Sequence, residues 1–123
     1  MRLDTSKQEI YRWASSPTTL MWICKLFLYH KLGPAHWELL AKGRALDNQV
    51  YVASVSPARD ESAGYVAWGH STVVDPFGTV VASAAEAEQI VYADIDINHL
   101  EAIRSQIPVT FQRRNDVYEL KQI

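Results

Sequence analysis

Hydrophobic positions along the chain follow two rhythms. From Gly33 to Asn48, Trp37, Leu40, Ala41 and Ala45 recur at the three- and four-residue spacing of a helix face, and Leu39, Gly43 and Leu46 widen the stripe. Pro34 stands where a first helical residue belongs, since its missing N–H costs nothing in the first turn. The pattern predicts a helix from Pro34 to Asn48, buried on more than one side. Val50 to Val55 is a nearly continuous apolar run, which predicts a strand covered on both faces. Ser56 to Glu61 is a polar loop. Two β-branched runs flank Asp75-Pro76-Phe77-Gly78, with Asp, Pro and Gly at turn positions that favour them, and predict a hairpin. Gln89 to Ile95 predicts a further strand. Asp96 is placed to cap a helix carrying Ile97, Leu100, Ile103 and Arg104, which Ile107-Pro108 ends.

The first 32 residues have a different character. Ser6-x-x-Glu9 forms a capping-box pattern that predicts a short helix to Ala14, stopped by Ser15-Ser16-Pro17. The run from Leu20 to Tyr29 fits either a buried strand or one side of a helix, and its periodicity leaves both open. Lys25 interrupts it, and it falls well short of the roughly 20 apolar residues a membrane span needs. Asp4 and Glu9 precede it and no small-x-small pattern follows, so it does not read as a signal peptide. The expectation is a cytoplasmic chain with no membrane partner, with a mitochondrial location as the alternative.

Composition narrows the chemistry. Twelve Lys+Arg against 14 Asp+Glu give a net charge of −2, with no clustered cationic face for nucleic acid. A length of 123 residues, 48% of them hydrophobic, suits one globular domain. The single cysteine, Cys24, excludes an intrachain disulfide and a Cys-rich zinc site, and fits a reducing compartment. His30, His36, His70 and His99 make no H-x-x-x-H pair and have no carboxylate cluster beside them, so neither a metal nor another cofactor is expected. Gly64-x-x-x-x-Gly69-His70-Ser71 has a histidine where a phosphate loop requires lysine. Cys24 reads as a buried, inert thiol, because the adjacent Lys25 points elsewhere on either a strand or a helix. Asp94 and Asp96 read as a solvated residue and a helix cap, Arg113-Arg114 as a solvated or interface pair, and the four tryptophans as core or subunit contacts. These readings alone define an α/β domain and no named reaction.

A larger pattern runs from Gly33 to Leu120. Gly33-Pro34-Ala35-His36-Trp37-Glu38-Leu39-Leu40 and Arg44-Ala45-Leu46-Asp47-Asn48-Gln49-Val50-Tyr51-Val52-Ala53 are followed by Ser56-Pro57-Ala58-Arg59-Asp60 and by Tyr65-Val66-Ala67-Trp68-Gly69-His70-Ser71-Thr72. Asp75-Pro76-Phe77-Gly78, Asp94-Ile95-Asp96, Ile107-Pro108-Val109 and Arg113-Arg114-Asn115-Asp116-Val117-Tyr118 complete it. In this order the motifs resemble the later part of a nitrilase-superfamily (carbon–nitrogen hydrolase) domain, most like its omega-amidase branch.

The resemblance implies an α/β fold, the C-terminal portion of an α-β-β-α sandwich and therefore incomplete, whose subunits associate through helical faces. It divides the chain into a divergent segment 1–32, a family segment 33–120 and a tail 121–123. It implies hydrolysis of a small-molecule amide, 2-oxoglutaramate or succinamate, to the dicarboxylate and ammonia. In that chemistry a cysteine attacks the carbonyl, a glutamate acts as base, and a lysine stabilises the oxyanion with help from a second glutamate. All of these belong to the family's earlier portion, so no catalytic residue is carried over. Cys24 does not correspond to the nucleophile. The family places a helix and a strand between that cysteine and the Gly-Pro-Ala-His-Trp segment, and only eight residues separate Cys24 from Gly33. Ser56, Arg59, His70 and Ser71 are the expected substrate-binding positions, with Arg59 suited to pair with a carboxylate. The expected state is a chain inactive alone and of marginal stability, forming a homo-oligomer or associating with a full-length subunit. The alternative is a non-catalytic interaction subunit of such a protomer.

Overall fold

A strand, a crossover helix and a second strand parallel to the first organise the domain. In the computed structural model, which describes residues 21–25, 29–109, 111, 112, 114, 116 and 117, these are β1 (Met21–Lys25), α1 (Gly33–Asn48) and β2 (Tyr51–Val55). β3 (Thr72–Val74), β4 (Val80–Ser83) and α2 (Ile97–Gln106) follow. The sheet order is β1-β2-β3-β4. β1 runs parallel to β2 with Met21 opposite Tyr51 and Cys24 opposite Ser54. Parallel neighbours need a long return path, and α1 supplies it. β2–β3 and β3–β4 are antiparallel, with an irregularity between Val73 and Val74. The architecture is α/β. Pairing thus resolves the open reading of the Leu20–Tyr29 run: Met21–Lys25 is a strand. The predicted helix Ser6–Ala14, along with Leu20, residues 26–28 and Arg113, lies outside the described residues.

α1 lies on one face of the sheet through Gly33, Trp37, Ala41 and Ala45, every fourth residue. The two alanines meet Val50, Val52 and Val74, with Val80 packed alongside. Small side chains on this row let the helix backbone approach the strands, and the interlocked β-branched partners exclude water. The expectation of burial on more than one side is corrected here. Leu39 is 66% exposed, Leu40 is exposed, and a methyl built on Gly43 would meet nothing within 4 Å. The reason is geometric: these positions face away from the sheet, and no described element lies over them. Gln49 closes the helix in the left-handed region at φ 49° and donates its N–H to Ala45 O.

The hairpin forms where expected. Asp75 Oδ1 accepts from the amides of Phe77 (2.9 Å) and Thr79 (2.8 Å). Gly78 donates its amide to Asp75 O at 3.0 Å and adopts φ 83°, a conformation that favours glycine. Asp96 caps α2 by accepting from the Asn98 and His99 amides. The hydroxyl of buried Tyr51 donates to Asp96 O and accepts from Asp96 N, both at 3.2 Å. Gln49 joins the other end of α2, donating from its side-chain amide to Ile107 O (2.6 Å) and accepting Arg104 Nε at its own carbonyl (3.2 Å). The His99 side chain is 43% exposed, and its Nε2 lies 3.4 Å from Asp75 Oδ2.

Two more expectations are revised. The second face of β2 is covered at Tyr51, where α2 is anchored, while Val55 at its far end is exposed, as are Met21 and Ile23 on the same face of β1. Residues 89–95 are not a strand. Ile90 and Tyr92 are 75% and 84% exposed, and no described strand runs beside them to satisfy a ladder. No helix among the described residues is long and apolar enough to cross a membrane.

Candidate functional site

The expected site residues come from the two ends of the connection between β2 and β3. Ser56 leaves β2 and Ser71 enters β3, and they clasp one another. Ser56 N donates to Ser71 Oγ at 3.1 Å, and the Ser71 hydroxyl returns a bond to Ser56 O at 3.2 Å. Ser56 Oγ accepts from Gly69 N (3.1 Å) and donates to Pro57 O (3.2 Å). Each hydroxyl proton is therefore committed to a carbonyl. Ser56, His70 and Ser71 border one open cleft of about 150 Å³, also lined by Ala84, Glu88 and Gln89.

Arg59 does not line that cleft. Its guanidinium sits 4.8 Å from the centre of the Trp68 ring, donates from Nη2 to Trp68 O at 2.9 Å, and forms a 2.9 Å ion pair with Glu86. Its backbone amide donates to Glu86 O as well. The side chain is only 13% exposed. Two protein acceptors already hold the fork that a substrate carboxylate would occupy, so Arg59 acts as a brace for Trp68 in this arrangement. Asp60, next along the loop, accepts from the amide and hydroxyl of Ser62, which holds its carboxyl below the usual range.

His70 joins the two halves of the site. Its ring stacks on Trp68 with centroids 4.1 Å apart and planes within 10°, and its Nδ1 lies 3.0 Å from Trp68 O. Its backbone is left-handed, φ 55°, which is uncommon for a residue with a side chain. Three bonds hold it there or nearby: His70 N donates to Ala85 O, Thr72 Oγ1 donates to His70 O (2.6 Å), and Trp37 Nε1 donates to Thr72 Oγ1 (3.2 Å). His70 also borders a second cleft of about 220 Å³, with Gly33, Pro34, Trp37, Trp68 and Thr72 among its walls.

The structure thus gathers Ser56, His70 and Ser71, and connects Arg59 to them through Trp68. Gly33, Trp37 and Glu86 were not expected at these clefts or beside Arg59 from the sequence. A methyl on Gly33 would overlap the Trp68 ring. No spacing rule reports that contact, because the two residues are far apart in the chain. Cys24 lies in β1, its backbone opposite Ser54. No group of three metal-ligating side chains converges among the described residues.

The chain matches the carbon-nitrogen hydrolase family model over residues 9–105, a span that starts before Gly33. It is 60% identical over 103 residues to omega-amidase NIT2 of Bos taurus, covering 80% of this chain and 37% of that protein. Against omega-amidase NIT2 of Danio rerio it is 56% identical over 105 residues, covering 81% of this chain and 38% of that protein. Among solved structures, Saccharomyces cerevisiae Nit3, a member of branch 10 of the nitrilase superfamily, aligns with a TM-score of 0.77 and 43% identity over 85% of this chain and 40% of its own. The C. elegans NitFhit protein aligns with a TM-score of 0.74 and 30% identity over 92% of this chain and 29% of its own. The chain spans less than two fifths of the curated relatives' length. The motif order from Gly33 onward, the βαβ-plus-hairpin sheet and these matches agree: the chain belongs to the carbon–nitrogen hydrolase (nitrilase) family.

Proposed function

We propose that this chain serves an omega-amidase-like hydrolase, which converts 2-oxoglutaramate or succinamate to the dicarboxylate and ammonia in the cytoplasm. The observation that carries the reading is the 56–60% identity to omega-amidases across four fifths of the chain. In this reading the catalytic Glu, Lys and Cys come from a full-length subunit, and the chain supplies part of the pocket wall around Ser56, His70 and Ser71. A thiolate there attacks the amide carbonyl, the C–N bond breaks, protonated nitrogen leaves as ammonia, and water hydrolyses the thioester to regenerate the thiol. Arg59 braces Trp68 and through it the wall.

The exposed apolar residues of the second sheet face, Met21, Ile23 and Val55, favour a second reading within the same family. There the chain is a non-catalytic subunit that binds a full-length protomer or another copy of itself.

The test is ammonia release from succinamate by the purified chain alone and after mixing with a full-length omega-amidase. No turnover by the chain alone, with co-elution of the mixture, is expected. Thiol-sensitive turnover by the chain alone that Cys24→Ser abolishes would overturn the proposal.

A further inference from the structure

The hydrogen bonding around His70 determines which atom it offers to a ligand. Trp68 O lies 3.0 Å from Nδ1, and a carbonyl oxygen only accepts, so Nδ1 carries the proton. In the neutral ring Nε2 is then a bare acceptor. No described residue donates to it, and it is not among the enclosed polar atoms that lack a partner. It is therefore not fully enclosed, and His70 lines both clefts.

The surroundings have the same polarity. The hydroxyl protons of Ser56, Ser71 and Thr72 are directed at carbonyls. Glu88 lines one cleft and Glu38 the other, whereas among the described residues no lysine or arginine lines either cleft. Gln89 in one cleft and Trp68 in the other carry side-chain N–H groups, but a carboxylate on each cleft with no lining cation disfavours a bound carboxylate and favours an N–H group. The ring is also costly to place and firmly held. A left-handed histidine persists when its surroundings over-determine it, and the Trp68 stack, the Ala85 bond and the Trp37–Thr72 relay do so here.

We infer that His70 Nε2 accepts a hydrogen bond from the N–H of a primary carboxamide, so that this wall reads the nitrogen end of the substrate and not its carboxylate. This rests on the proposed amidase role but makes a separate claim about one atom.

The test uses the intact chain labelled with 15N-histidine. His70→Gln identifies the His70 signals by their loss. The expected spectrum shows protonated Nδ1 and unprotonated Nε2. Succinamate should move the Nε2 signal saturably in the direction of an accepted hydrogen bond, and N,N-dimethylsuccinamate and succinate should not. Protonated Nε2, an equal response to all three compounds, or no response to any would overturn the inference. The readout requires no turnover, so it can fail while the ammonia assay succeeds, and the reverse.

Discussion

The tightest packing at the site is the contact between Gly33 and Trp68, and Gly33→Ala tests it directly. A Cβ there would fall inside the van der Waals surface of Trp68 Cδ2, Cγ and Cε3. Gly33 opens α1 with ordinary helical geometry, so the substitution adds no backbone strain and the penalty is steric. The ring has to move, and it is held by the His70 stack and by Arg59, itself paired with Glu86. Overpacking a close site costs about 1–3 kcal/mol. Losing the aromatic stack forfeits about 0.5–1.5 kcal/mol and the cation–π contact about 0.5–1 kcal/mol, terms that overlap with the first. The helix-propensity gain of alanine, at most about 1 kcal/mol, offsets part of this. A net loss of about 1–3 kcal/mol follows. Gly43→Ala is the internal control: its methyl meets nothing within 4 Å, and it should stabilise the same helix by about 0.5–1 kcal/mol. Urea unfolding of the intact chain, followed by far-UV circular dichroism and tryptophan fluorescence, measures both. Gly33→Ala as stable as the parent, with unchanged tryptophan fluorescence, would refute the claim that Trp68 is wedged against α1.

Asp75→Ala strands the Phe77 and Thr79 amides and removes the partner of His99; about 1–3 kcal/mol should be lost, with faster hydrogen exchange at Thr79, and Asp75→Asn should lose less because it keeps an acceptor oxygen. Burial raises the Tyr51 hydroxyl above its ordinary 10.0, outweighing the Asp96 hydrogen bond that lowers it. The unfolded chain therefore releases this proton first, so the stabilisation is complete below pH 10.0 and is lost as pH rises through the raised folded value. Urea midpoints at about pH 8 and about pH 11 should show that alkaline loss in the parent and less of it in Tyr51→Phe, which pays instead with weaker anchoring of α2 at neutral pH.

Local features were legible in the sequence because their causes are local. Pro34 and the apolar stripe define α1, Asp75-Pro76-Phe77-Gly78 carries its own acceptor and its own left-handed glycine, and Asp96 satisfies the amides that open α2. The ordered motifs from Gly33 onward were enough to place the family. Tertiary structure decided everything that depends on what lies opposite. Apolar spacing at Leu39 and Gly43 suggested burial, but only contact with the sheet removes water from a side chain, and the sheet lies on the other side. Residues 89–95 have strand chemistry yet take no strand pairing, since a ladder requires a second backbone. Arg59 had the right charge and fork for a substrate carboxylate, but Glu86 and the Trp68 carbonyl reach it first. The motif made His70 an expected site residue. The atom it presents depends on a carbonyl two residues away, brought to Nδ1 by a left-handed backbone that spacing alone does not report.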